Sequence, residues 1–348
     1  MLPGTPFPSI NTVDDLEKMN FRKEIAQSVG FANDVFSLKE LKDKIMKVSC
    51  EYIILKGAFF GDINISPKYL NFISCEKSRS DEPPYKFGAL KSVLILTPKR
   101  KQFRIKDIVK IYSRRYNFFK SSFEIFTKSG RSYFFNVYVQ ETRDEIIRII
   151  TKMNPKIEKF TNQSGEFEKY DYTNKWLRHE ISNFEYLMTI NMFSGRSFNN
   201  INEYPVFPWI LTNYNSDDLD LNDETNYRDL GKPVGALNSK NVEYYLDRYH
   251  NLCDPQIPKF HYGTHYSSAG VIMHFLIRLE PFTSLGIELQ NGKFDIPDRI
   301  FSNISATWNS CFSNASDVKE LIPEFFYFPE FLKNMYIYIN LKYFGIYQ

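Results

Sequence analysis

Between Ile181 and Lys333 the chain repeatedly starts a helix and stops it. Runs with helical spacing are separated by Pro205, Pro208, Pro255, Pro258, Pro281, Pro323 and Pro329. Each proline lacks a backbone donor and biases its predecessor toward extended geometry. The same stretch is crowded with aromatics, as in Tyr204-Pro205-Val206-Phe207-Pro208-Trp209 and Phe325-Phe326-Tyr327-Phe328. Apolar peptide must therefore run extended through a packed interior, between short helices. Ser182 with Glu185 forms a capping-box pattern, with Phe184, Leu187, Met188 and Met192 on one face and Gly195 at the stop. Ser239, Ser267 or Ser268, and Asp298 are read as the starts of three further helices.

Ahead of this region, from Cys50, the period is that of strands. Tyr52–Leu55, Lys56–Ile65, Tyr69–Ile73, Val93–Leu96, Phe103–Ile105, Ile108–Tyr112, Ser122–Phe126 and Tyr133–Val137 are short β-rich runs. Lys128-Ser129-Gly130 reads as a hairpin turn. Thr142–Ile150 follows as one amphipathic helix, ended at Asn154-Pro155. Several short strands and one closing helix resemble a pleckstrin-homology (PH) type barrel. The polar stretch Lys156–Glu168 reads as a joint. The expected fold class is α+β: a PH-like β-barrel with a C-terminal helix, then a mainly helical domain with extended core segments. The domains are read as a lead-in at 1–47, the barrel at 48–153 and the helical domain at 154–348.

Charge is partitioned along the chain although the net value is only +3. From Lys86 to Lys120 eleven Lys and Arg, including Lys99, Arg100, Lys101, Arg104, Arg114 and Arg115, face the single acid Asp107. From Asp217 to Asp229 the sign reverses, with Asp217, Asp218, Asp220, Asp223, Glu224 and Asp229 against Arg228. Such runs set local potentials whatever the total. The N-terminus has neither the basic nor the apolar part of a signal peptide, and no apolar stretch reaches spanning length. Cys50, Cys75, Cys253 and Cys311 lack a Cys-x-x-Cys spacing and read as buried thiols in a reducing compartment.

No arrangement of residues selects a catalytic chemistry. His261 and His265 have a spacing compatible with a metal pair, but Gly263 lies between them and no Glu follows His261; hydrogen-bonded structural histidines are expected. Glu180, Glu185, Glu280, Glu320, Glu324 and Glu330 form no spaced acid–base pair, and read as caps and as partners of Arg178, Arg196, Arg278 and Arg299. Gly231-Lys232-Pro233-Val234-Gly235 lacks the order of a phosphate loop. The basic run suits a solvated barrel face, an anionic membrane, or nucleic acid with Phe118 and Phe119 beside the charges. Pro323–Phe331 reads mostly as core.

Gly195-Arg196-Ser197, Arg228-Asp229-Leu230, Lys232–Asn238, Arg278–Thr283, Gly292–Arg299 and Ser316–Leu321, in this order, resemble the BEACH (Beige/Chediak-Higashi) domain family, of the neurobeachin type. Ile111–Tyr116 with Phe123–Phe126 and Tyr133–Asn136 resembles the PH-like domain that precedes BEACH domains. The likeness ends near Asn334, so the BEACH part is expected to be C-terminally incomplete and marginally stable, with Phe325–Phe331 and Tyr336–Tyr338 short of cover. The resemblance implies a non-enzymatic scaffold in vesicle trafficking, lysosome and membrane organisation, cytoplasmic and peripherally associated with intracellular membranes. Implied partners are trafficking proteins or peptides and the membrane surface, with no cofactor, metal, small-molecule substrate or nucleic acid. The candidate interaction residues are Lys99, Arg100, Lys101, Arg104, Arg114, Arg115, Tyr116, Asp217, Asp218 and Glu224, with the two charged runs meeting at a PH–BEACH seam. The alternative is a peripheral module that binds anionic lipid through the basic PH-like face.

Overall fold

Strand β1 (Met46–Ile54) pairs with β2 (Gly57–Ile65) in unbroken antiparallel register, from Met46 opposite Ile65 to Ile54 opposite Gly57. β2 pairs with β3 (Tyr69–Ser74), and β3 with β4 (Arg100–Arg104). On its other side β1 pairs with β7 (Ser132–Asn136), which continues to β6 (Phe119–Thr127) and β5 (Ile108–Tyr116). Alternating side chains send Ile63, Ile65, Leu70, Phe72, Ile111, Phe123, Ile125 and Phe135 into one core. Helix α1 (Gln140–Met153) adds Ile146, Ile147 and Ile150 to that core. The predicted turn at Lys128-Ser129-Gly130 is present, with Gly130 at φ 80° donating to the Thr127 carbonyl at 3.0 Å.

The computed structural model describes residues 45–75, 99–296 and 299–332. The predicted strand Val93–Leu96, most of the lead-in, Lys86, Lys91, Asp298 and Tyr336–Tyr338 lie outside the described residues. The chain divides into two units, Met1–Tyr170 and Asp171–Gln348.

Past α1 the structure departs from the sequence reading. Glu158–Phe160 is an eighth strand, β8, parallel to β5 with Lys110 opposite Glu158 and Tyr112 opposite Phe160; Gln163–Lys169 is a helix, α2. The reason is Phe160, which is fully buried and stacks on Tyr112 at 4.4 Å. One well-placed aromatic anchors a segment too polar to show a strand pattern.

The second unit is mainly helical. Among the described residues its α-helices are α3 (Tyr172–Leu177), α4 (Asn183–Phe193), α5 (Ser239–Asn251), α6 (Ala269–Phe275), α7 (Phe282–Leu289), α8 (Ile304–Ser313) and α9 (Glu324–Tyr327). The capping box of α4 is complete: Ser182 Oγ accepts from the Glu185 amide at 3.1 Å and Glu185 accepts from the Ser182 amide at 2.9 Å. Ser268 precedes α6 as expected. The α5 cap is Asn238 rather than Ser239, and α8 is capped by Asn303, whose side chain accepts from the Ala306 amide at 2.8 Å.

Between the helices, extended segments run through the interior. Tyr204, Phe207 and Trp209 are at most 1% exposed, and Phe207 makes a single antiparallel bridge with Leu321. Trp209 donates from Nε1 to the Lys319 carbonyl at 2.8 Å and packs 5.3 Å from Trp308. In the run expected to lack cover, Phe331 is buried and Phe325 meets Phe275, Phe301 and Phe331 edge-on, while Phe326 is exposed. Cys50 and Cys311 are buried, whereas Cys75 and Cys253 are exposed, which corrects the expectation that all four thiols are internal.

Candidate interaction surfaces

The basic residues expected to form one face are dispersed by the pleat. Lys99 leads into β4 with its Nζ 5.6 Å from the centre of the Phe59 ring, and Lys101 lies 5.8 Å from the Tyr133 ring. Cations over ring faces are attracted by the ring quadrupole, and partial burial lowers the Lys99 pKa. Arg100 and Arg104, on the opposite face of β4, are exposed, and Arg104 pairs with Asp107 at 2.5 Å. Arg115 is exposed near the end of β5. Tyr116 is half-buried, and burial followed by the Glu51 carboxylate pushes its hydroxyl up to about 12.

Arg114 is not part of a solvated face. It is 2% exposed, donates from Nε to Glu124 at 2.9 Å and places its second nitrogen 2.8 Å from the same oxygen. Its guanidinium also lies 4.6 Å from the Tyr112 ring, on which Phe160 stacks. Close by, Glu51 accepts from Asn136 at 2.7 Å, and Ser121 and Ser122 donate to Asn136. The outer side of β5–β6–β7 thus holds a buried polar layer, satisfied from within.

In the second unit Asp217, Asp218 and Glu224 are exposed on a loop built from side-chain turns. Asn213 accepts from the Ser216 amide, Asp220 from the Asn222 amide and Asp223 from the Thr225 amide. The Thr225 hydroxyl and amide hold the Asp223 carboxyl below its ordinary value. Buried Asn226 ties the loop down by donating to the Asp220 carbonyl at 2.9 Å. The two charged runs belong to different units.

Several groups considered for chemistry serve the fold. His261 stacks on Tyr249 at 4.3 Å, and His265 Nδ1 lies 2.6 Å from the Ser267 carbonyl oxygen. Among the described residues no three His, Cys, Asp or Glu gather as a metal site. Glu320 pairs with Arg228 at 2.7 Å and accepts from the Trp209 amide at 3.0 Å. Glu324, 1% exposed, accepts from the Tyr204 hydroxyl at 2.7 Å and the Tyr327 hydroxyl at 3.3 Å. Arg196 donates to the Tyr204 carbonyl and Arg299 pairs with Asp295. Gly235 sits where a Cβ would come within 2.8–2.9 Å of Tyr245, Val318 and Tyr262, so the glycine answers a packing need rather than a phosphate. A cavity of about 490 Å³ is lined by His265, His274, Arg299, Thr307, Ser310 and Lys319. Burial pushes His274 down to about 4.

Antiparallel strands closed by a C-terminal helix define the first unit as a PH-type domain, and it precedes a helical unit threaded by extended peptide. The chain belongs to the BEACH family: residues 174–342 match the Beige/BEACH domain and residues 50–151 match the PH domain associated with Beige/BEACH. It is 56% identical over 160 residues to "BEACH domain-containing protein B" of Arabidopsis thaliana, covering 46% of this chain and 6% of that protein. It is 39% identical over 266 residues to "Putative neurobeachin homolog" of Caenorhabditis briggsae, covering 74% of this chain and 10% of that one. The chain thus spans a tenth or less of these two relatives' length. Among solved structures, part of the chain is matched to the Slm1 PH domain solved with phosphoserine, at 14% identity and a TM-score of 0.24, covering 33% of this chain and 98% of that one. Among the described residues no helix is long and apolar enough to cross a membrane.

Proposed function

We propose that this chain is a non-enzymatic scaffold in vesicle trafficking and membrane organisation, acting through protein–protein interaction. The observation that carries the reading is the division of labour among charged groups in the BEACH unit. Glu320 and Glu324 hold extended core segments through Arg228 and Tyr204, while Asp217, Asp218 and Glu224 stand exposed on a tied loop. Membership of the family that includes neurobeachin homologues supports the trafficking context. Attraction between the acidic run and Lys99, Arg100, Lys101, Arg104 and Arg115 belongs to the proposal and rests on opposite charge alone. Affinity purification from a eukaryotic lysate tests it, using the chain and a variant with Asp217, Asp218 and Glu224 changed to Lys. Trafficking or cytoskeletal proteins are expected with the first and depleted with the second. Recovery of none above control counts against the scaffold.

The exposure of Arg100 and Arg115 favours a second reading, a peripheral module for anionic lipid. Vesicle binding should then rise with anionic lipid and fall with salt, since surface attraction is screened beyond a Debye length of ~8 Å. Binding indifferent to lipid charge eliminates it.

A further inference from the structure

Strands β5 and β6 are joined by two residues, Asn117 and Phe118, closed by the Tyr116–Phe119 pair. Both lie in the left-handed region, at φ 47° and φ 70°. That is the geometry of a type I′ hairpin turn, which favours Asn followed by Gly. Phe118 occupies the glycine position, where a bulky side chain is strained. The side chain returns nothing to the fold, being 94% exposed; Phe119 beside it is 50% exposed. Arg115 and Lys120 flank the tip in sequence and are both exposed.

The stem beneath has a register shift between Arg114 and Tyr116 and is braced by side chains. The buried Arg114–Glu124 pair crosses the two strands, the Tyr116 ring lies 6.2 Å from Phe134, and Ser121 and Ser122 are tied to Asn136. A strained aromatic is therefore held out in solvent on a side-chain-braced hairpin, with a cation on each side in sequence.

We propose that the Asn117-Phe118 hairpin tip is a membrane-inserting contact. Phe118 and Phe119 enter the boundary between headgroups and acyl chains of an anionic bilayer, and Arg115 and Lys120 meet the lipid phosphates. Shape favours a bilayer over a protein. A protein interface of ordinary size buries ~800 Å² on each partner, far more than a two-residue tip offers. Partition into a bilayer instead grows with each apolar side chain inserted and each cation at the surface. Single-stranded nucleic acid is bound along grooves that track its backbone, whereas this tip protrudes. The inference rests on the second, lipid reading and supplies its apolar half.

Flotation of the full chain with phosphatidylcholine vesicles, with and without phosphatidylserine, tests it alongside Phe118→Gly, Phe118→Trp and Arg115→Glu/Lys120→Glu. Glycine accommodates φ 70°, so Phe118→Gly keeps the fold while removing the inserted group. The unaltered chain is expected to float with anionic vesicles, and Phe118→Gly to weaken partition on the order of ten-fold. The double charge reversal abolishes the preference for phosphatidylserine. Phe118→Trp binds, and its added emission shifts blue and is quenched by brominated lipid, relative to the unaltered chain with Trp176, Trp209 and Trp308. Salt-sensitive flotation that Phe118→Gly leaves intact overturns insertion and leaves the lipid reading standing. Absence of flotation by the unaltered chain overturns both. Single-stranded oligonucleotide binding lost in Phe118→Gly, with vesicle binding unchanged, assigns the tip to nucleic acid instead.

Discussion

Arg114 reaches diagonally across the β5–β6 ribbon to Glu124, which stands opposite Tyr112, with 2.8 Å between guanidinium and carboxylate, and their side chains are 0% and 2% exposed. A charge pair enclosed in this way costs little while complete and much when halved. Arg114→Leu strands a buried carboxylate and should destabilise the barrel by ~3–5 kcal/mol. Arg114→Met/Glu124→Leu should recover most of the loss. Arg115→Leu, one residue on and exposed, should stay within about 0.5 kcal/mol. Amide hydrogen exchange along β5 and β6 measures all three, and equal effects at Arg114 and Arg115 would contradict the burial.

Glu324 predicts a pH dependence of the BEACH unit. Burial raises its carboxyl above the ordinary value, against the hydroxyls of Tyr204 and Tyr327, which pull the other way. The folded state therefore holds the proton more tightly than the unfolded state. The contribution of Glu324 should be fully present below the unfolded glutamate pKa of about 4.3 and be lost as pH rises through the folded value. Trp176, Trp209 and Trp308 all lie in this unit, so tryptophan emission during urea unfolding reads it separately. Glu324→Gln should flatten the decline; an unchanged slope assigns it elsewhere.

His274 acts in the opposite direction. Burial, reinforced by Lys319, lowers its pKa to about 4 from an ordinary 6.5. Its contribution is present above the unfolded value and is lost as pH falls from 6.5 toward about 4. His274→Gln should remove that acid-side loss in the same urea measurement, whereas His250→Gln, at an exposed position on α5, should not.

Gly235→Ala should destabilise the BEACH unit by ~1–3 kcal/mol, because the new methyl overpacks against Tyr245, Val318 and Tyr262. Gly292→Ala meets no neighbour but is strained at φ 84°, so its smaller loss comes from the backbone alone. Comparing tryptophan-monitored urea midpoints with and without a paired Val318→Ala separates the two causes. Only the Gly235 loss should be relieved.

Local signals were legible in the sequence and distant ones were not. Ser182 and Glu185 lie within one helical turn, so their reciprocal cap could be read directly. Asn238 and the adjacent Ser239 are both good caps in sequence, and only the backbone decides for Asn238. The strand runs from Tyr52 to Val137 carry enough alternation to show the barrel. Asn117-Phe118 carries no glycine, so the turn joining β5 to β6 gave no signal. Arg114 looked like its neighbours in a basic run because its burial involves Glu124, ten residues away, and a covering segment still further along. Of the ten candidate residues, Arg100, Arg104, Arg115, Asp217, Asp218 and Glu224 are exposed and Tyr116 is half-buried. Lys99 and Lys101 are partly engaged with rings.

The short parallel pairing of β8 with β5 also has a mechanical meaning. Any tension carried along the backbone from the helical unit into the barrel must pass through Glu158–Phe160 before it reaches the long antiparallel ribbons. Three residues of pairing and one stacked phenylalanine yield at lower load than nine-residue strands locked on both sides. Pulling on this segment should peel β8 before the longer strands and uncover Tyr112, on which Phe160 stacks.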